Sequence, residues 1–200
     1  MKYFNSLPLT TVRSEDGTYK SYRNLMTRLS VIPSILKNPL VYYTYDIQEG
    51  DTPEIVAHKY YGDPFRYWIV LFANESLDPQ WDWPLSSNQL QDYIENKYAG
   101  TGIDVYADVK SYRKKITQTD ITTNVVTVNM VEISEDEYNS METYTKTIST
   151  STGSVIVSVE KNIQSYYDYE VEKNESKRTI KLLNKNYVSQ VEQEFKTLLM

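Results

Sequence analysis

The pattern of hydrophobic and polar positions changes period twice along the 200-residue chain. Residues 1–18 show no sustained period and end in the turn-like Ser14-Glu15-Asp16-Gly17. From Tyr19 onward, Tyr22, Leu25, Met26, Leu29 and Ile32 recur at helical spacing until Pro33 and Pro39 stop the run. This spacing predicts an N-terminal arm with a short helix over residues 1–40. Tyr43, Tyr45 and Ile47 then alternate with Thr44 and Asp46, as in a strand with one buried face. Gln48-Glu49-Gly50 turns the chain. Asp51 or Thr52 can accept hydrogen bonds from the free amides of a helix start, Pro53 fits its first position, and Glu54 favours its positive end. A helix from Pro53 to about Tyr60 follows. Gly62 can adopt the left-handed conformation that ends it, and Asp63-Pro64 restarts the chain at once.

The second helix, Pro64 to Ala73, is apolar almost all round except at Arg66, so it must be covered on most sides. Trp68 is therefore read as core, and Gly62, Asp63 and Pro64 as architectural turn residues. Asn74 is a plausible stop. Beyond it, Trp81 and Trp83 lie in a proline-flanked loop, DPQWDWP, that cannot easily bury both. A third helix is expected from the capping-box spacing Ser86 to Gln89 through Leu90, Tyr93 and Ile94 to Gly100.

Past Gly100 the period shortens, and candidate strands are Ile103–Val109, Tyr112–Thr117, Val125–Ile133, Thr143–Thr150, Val155–Glu160, Tyr166–Val171 and Arg178–Leu183. Turns are expected at Ser151-Thr152-Gly153 and Asn174-Glu175-Ser176. Tyr187, Val191, Phe195, Leu198 and Leu199 mark a final amphipathic helix. The expected fold class is α+β, organised as an arm (1–40), a helical/β module (41–100), a β-rich extension with a hairpin insert (101–185) and a C-terminal helix (186–200).

Composition narrows the chemistry. There is no cysteine, so disulfides and thiolate chemistry are excluded, and the net charge of −6 repels phosphate backbones. Neither nucleic-acid nor membrane binding is expected, because the longest apolar run, Tyr67 to Ala73, falls far short of a spanning helix. The lone histidine, His58, reads as a solvated surface residue. Glu49 and Asp82 could be imagined as a carboxylate pair, but both lie beside turns where acids are ordinary. No catalytic residue, metal site or cofactor is expected. Nineteen tyrosines stand out. They suit protein interfaces, and strand propensity alone also favours them.

Tyr45, Ile47-Gln48, Gly50-Asp51-Thr52-Pro53, Ile55-Val56-Ala57, Tyr60-Tyr61-Gly62-Asp63-Pro64, Trp68 and Ala73-Asn74 together resemble the LysM module, a βααβ peptidoglycan-binding fold. The likeness breaks where a LysM module needs a glycine-bearing turn and a second strand, since WDWPLSSNQLQDYI reads as an aromatic loop and a helix. The partner strand must come from elsewhere, or the groove is not built. A wider likeness takes in GDTPEIVAHKYYGDPFRYWIVLFAN, DPQWDWPLSSNQL, ENKY and the distant YYDYEVEKNESKRTIKLL. These segments resemble the LysM-like baseplate wedge subunit of contractile-tailed, T4-like bacteriophages.

That resemblance implies a structural, non-enzymatic job in the tail baseplate of a virion assembled in the host cytoplasm. The subunit would clamp neighbouring wedge and inner-baseplate proteins, in multiple copies around the tail hub, and help wedges join. Glycan binding is not expected, although a peptidoglycan-binding accessory protein is the alternative. Trp81, Trp83 and Pro84 are the first partner-interface candidates, with the possibility open that one tryptophan folds back to seal the module. The turn Gly50, Asp51, Thr52 and Pro53 and the C-terminal Phe195 and Leu198 come next.

Overall fold

The computed structural model describes residues 3–27, 40–76, 78–150 and 153–199. These form two compact units, one made of residues up to Asn88 and from Asn174 onward, the other of Gln89–Lys173.

The first unit is assembled from both ends of its sequence. Strand β3 (Tyr42–Asp46) leads through a turn into helix α1 (Pro53–Tyr61). The Thr52 hydroxyl accepts a hydrogen bond from the Ile55 amide, Pro53 opens the first turn, and Gly62 closes α1 at φ +73°. A single 3-10 turn, Pro64–Arg66, is capped by the Asp63 carboxylate and continues into α2 (Tyr67–Ala73). A one-turn helix, α3 (Pro79–Asp82), follows, and α4 (Ser87–Tyr98) starts at the end of this stretch and lies mostly in the second unit. After the second unit, β8 (Thr179–Leu183) returns and pairs antiparallel with β3, in a register running from Tyr42↔Leu183 to Asp46↔Thr179. The missing partner strand thus arrives from 133 positions away. Helix α7 (Lys185–Leu199) follows. Leu7, Ile47, Val56, Ala57, Trp68, Ile69, Val70, Ile180, Leu182, Val188, Phe195 and Leu199 form one buried cluster. Burying aromatic rings such as Trp68 and Phe195, 4.8 Å apart, contributes several kcal/mol each, at about 25 cal/mol per Å².

The N-terminal part of this unit differs from expectation. Residues 19–23 form a strand rather than a helix. β1 (Leu9–Arg13) and β2 (Tyr19–Arg23) pair as a hairpin around Asp16-Gly17, with Asp16 accepting hydrogen bonds from the Thr18 amide and hydroxyl. The helical spacing of Tyr22, Leu25 and Met26 loses to the turn chemistry just before it. Leu29, Ile32, Pro33 and Pro39, like Ser151 and Thr152 of the expected later turn, lie outside the described residues.

The second unit centres on a four-stranded antiparallel sheet in the order β5-β4-β7-β6. Its strands are β4 (Val109–Asp120), β5 (Val126–Ile133), β6 (Tyr144–Thr150) and β7 (Gly153–Ser165), with helix α5 (Glu135–Ser140) between β5 and β6. Two expectations are corrected here. Residues 105–107 form a turn, with Asp104 accepting from the Tyr106 and Ala107 amides, so the sheet begins only at Val109. Tyr166–Val171 lies in a helix, α6 (Tyr166–Glu175). The helical spacing 166/170/174 places Glu170 and Asn174, both buried, on one side of it, and that outweighs the strand propensity of its tyrosines. The buried Glu170 accepts hydrogen bonds from Lys97 Nζ (2.6 Å) and the Tyr98 hydroxyl (2.8 Å). Burial, reinforced by that bond, pushes Tyr98 up to about 12.

Candidate functional site

The turn at Asp51 and the loop at Trp83 meet within the first unit, and the expected interface residues play different parts. Asp51 is the hub. One of its carboxylate oxygens accepts from the Tyr45 hydroxyl at 2.7 Å and the Gln48 amide at 3.2 Å, and the other accepts from Lys59 Nζ at 2.6 Å. Burial favours the neutral acid, yet the bonds from Lys59, Tyr45 and Gln48 outweigh it and hold the Asp51 carboxyl below the ordinary range. Tyr45 is pushed up to about 12, first by burial and then by its bond to Asp51. Gly50 supplies the turn at φ +81°, which a side chain would strain.

The backbone carbonyl of Asp51 accepts the indole N–H of Trp83 at 2.8 Å, and the Trp83 ring packs on the hydrophobic cluster. Trp83 is therefore the tryptophan that folds back, and Pro84 beside it is buried. Trp81 behaves differently, with its side chain 51% exposed. Its loop is nevertheless fixed. Asp78 caps α3 through the Gln80 amide, Asp82 accepts from the Asp78 amide, and Lys177 donates to the Trp81 carbonyl at 2.6 Å. The chain thus ties down the backbone around Trp81 while leaving about half of the residue exposed.

Two asparagines, of which Asn174 is one that the sequence singles out only as a turn residue, tie backbone segments together. Buried Asn174 exchanges two hydrogen bonds with the Leu85 backbone, donating to its carbonyl (3.0 Å) and accepting from its amide (2.7 Å). Asn74 does the same for β8, accepting from the Lys181 amide at 2.7 Å and donating to its carbonyl at 2.8 Å. Each side chain mimics a strand backbone, which has no local sequence signature. Glu49 adds a further tie, accepting from the Ser87 amide (2.7 Å) and from Arg178 (3.3 Å).

The remaining candidates divide cleanly. Phe195 does not face outward as expected: it is 4% exposed and sits among Tyr3, Trp68 and Phe72, because α7 turns that face into the cluster. Leu198, three positions on, is 70% exposed. Thr52 is exposed and Pro53 half-buried, both fixed by their roles at the start of α1. Gly62 and Asp63 occupy the turn positions expected of them, Pro64 opens the 3-10 turn, and Trp68 is core. No group of three or more His, Cys, Asp or Glu side chains arranged to hold a metal ion occurs among the described residues. No helix among them is long and apolar enough to cross a membrane.

Residues 18–198 match the family described as Base plate wedge protein 53. Over 61 residues the chain is 34% identical to Baseplate wedge protein gp53 of Enterobacteria phage T4. That alignment covers 30% of this chain and 31% of the phage T4 protein, so it spans less than a third of the relative's length. The family match, by contrast, runs through both structural units, and on that extent the chain belongs to the base plate wedge protein 53 family.

Proposed function

We propose that the chain is a structural subunit of the phage tail baseplate wedge, which holds neighbouring wedge proteins together and helps wedges join around the central hub. It would act in the virion, after assembly in the host cytoplasm, through protein contacts and without turning over a substrate. The observation that carries this reading is the exposed Trp81 on its clamped loop, in a chain whose family is a wedge family. An exposed tryptophan on a tied-down backbone loses little entropy on docking, and such residues dominate interface energetics.

The LysM-like character belongs to the same proposal. β3, α1, α2 and β8 follow each other as strand, helix, helix, strand, with the second strand antiparallel to the first. The intervening Gln89–Lys173 unit would then be an insertion between the second helix and the second strand of a LysM-like fold. In that reading the turn at Asp51 has lost its freedom to hold a sugar, because both carboxylate oxygens and the carbonyl are already bonded within the chain. The surfaces left to partners are Trp81, the exposed edge of the Gly50–Pro53 turn and Leu198.

The test is reconstitution of the wedge from co-expressed subunits of the same phage with Trp81→Ala. Truncation of a docked tryptophan is expected to weaken incorporation by about 2 kcal/mol, roughly thirtyfold, with the melting temperature unchanged. Undiminished incorporation would remove Trp81 from the interface. Saturable binding of peptidoglycan oligomers by the wild-type chain, with no entry into wedges, would overturn the structural reading altogether.

A further inference from the structure

The second unit carries a feature that the proposed Trp81 contact does not use. β5 hydrogen-bonds to β4 alone and forms one edge of its sheet. Its register runs from Thr119↔Val126 to Tyr112↔Ile133 without a bulge, and all its residues except Ile133 are exposed. At eight residues it is the longest edge strand among the described residues. On one sheet face it presents Val126, Val128 and Met130, with Val128 49% exposed, and on the other it presents Val131.

Soluble proteins normally guard such an edge with lysine, proline, a bulge or a covering element. β6, the opposite edge, has Lys146, and the β1–β2 hairpin has Arg13, Lys20 and Arg23. β5, Val-Thr-Val-Asn-Met-Val-Glu-Ile, has none of these. Its paired strand β4 sets Arg113, Lys114 and Lys115 opposite Glu132, Val131 and Met130, but the segment that contains β5 is itself one-signed. From Ile121 to Thr145 the chain has no lysine or arginine, while Glu132, Glu135, Asp136, Glu137 and Glu142 cluster at the end of β5 and beyond it.

We infer that β5 is a strand-addition site, which takes an extended segment of a neighbouring wedge protein with apolar side chains at alternate positions and basic side chains at the end nearest Glu132. The added strand pairs its backbone with the open edge, sets its apolar side chains beside Val126, Val128 and Met130, and brings its cations to the acidic start of α5. Backbone pairing gives the affinity, and charge fixes the direction and register. This gives the inserted sheet a job separate from that of the first unit. It rests on the structural reading proposed above.

The experiment compares amide hydrogen exchange across Val126–Ile133 in the free full-length chain and in wedges reconstituted from co-expressed subunits. Incorporation is then measured for Val128→Lys/Met130→Lys and for Glu132→Lys, all at exposed positions, with the melting temperature of each free variant read alongside to separate loss of docking from loss of fold. Strand addition predicts that the outward-pointing amides of β5 exchange at least about tenfold more slowly in the wedge. The double lysine variant should enter wedges about tenfold less well, and Glu132→Lys should show a smaller loss that shrinks further at high salt. Unchanged exchange in β5, or wild-type incorporation of the double variant, overturns the inference. So does a purified chain that is already a dimer and becomes a monomer on Val128→Lys, since the occupant is then a second copy. If the wild-type chain enters no wedge at all, it is the proposed function that fails, and that result is distinguishable from a wedge that forms with β5 still open.

Discussion

In the first unit, Val56, Trp68, Leu182 and Phe195 are shielded from water although they come from opposite ends of the sequence, with Tyr61 donating to the Leu183 carbonyl across 122 positions. In the second, most of β5 and β6 remains exposed, although each strand pairs with one of the two long strands β4 and β7, to which the chain connects it nearby. The first unit therefore depends on apolar burial between distant segments, and the second on a ladder of backbone hydrogen bonds whose outer strands are added by sequence neighbours. Substitution should consequently be costly in one and cheap in the other. The division also separates a scaffold, which must be well packed, from a sheet whose surfaces are left open.

The largest expected effect comes from emptying the shared core. Phe195→Ala should cost about 3–5 kcal/mol of stability, read as a lower calorimetric midpoint. Amides of β3 and β8 should lose protection while those of β4 and β7 keep theirs. Simultaneous loss of protection in both units would break the comparison.

A smaller loss is expected at the hub. Asp51→Asn removes a charge that accepts three hydrogen bonds, one of them from Lys59, and should cost about 1–3 kcal/mol in urea unfolding at neutral pH. The pH dependence has a definite sign. The Asp51 carboxyl titrates lower in the folded chain than in the unfolded one, so its stabilisation is complete above the unfolded value, near about 3.9. It disappears as pH falls through the lower, folded value. The difference in stability between wild type and Asp51→Asn should accordingly shrink in acid, and a difference that grew there would contradict the geometry.

The smallest effect belongs to the open sheet. Val126→Thr keeps the β-branched shape at an exposed position and should change the midpoint by less than about 0.5 kcal/mol. A loss comparable to that at Phe195 would mean that β5 is covered within the chain itself.

What could be read beforehand follows the same division between local and distant causes. α1 was legible because Thr52, Pro53, Glu54 and Gly62 each act on backbone within a turn of themselves. β5, β6 and β8 were legible from their alternation and β-branched content. The pairing of β3 with β8 was not, because nothing in Tyr42–Asp46 specifies a partner so far along the chain. Trp81 and Trp83 look alike in sequence, and only the Asp51 carbonyl, poised to accept an indole N–H, decides which of them turns inward. Phe195 and Leu198 both belong to the apolar pattern of one helix, and the direction from which the core approaches it separated them. Asn74 was read as a helix stop, and it does bond to the Val70 carbonyl, but its second role as a surrogate backbone for Lys181 was invisible.

The late arrival of β8 bears on how the protein is made. A ribosome releases Tyr42–Asp46 long before Thr179–Leu183, so β3 and the greasy side of α2 must wait, unsheltered, while the whole inserted sheet is translated and folds on its own nearby contacts. Only when α7 emerges can Val188, Phe195 and Leu199 close over Trp68. Until then Trp68 and its neighbours on α2 lack the cover that the C-terminal segment supplies.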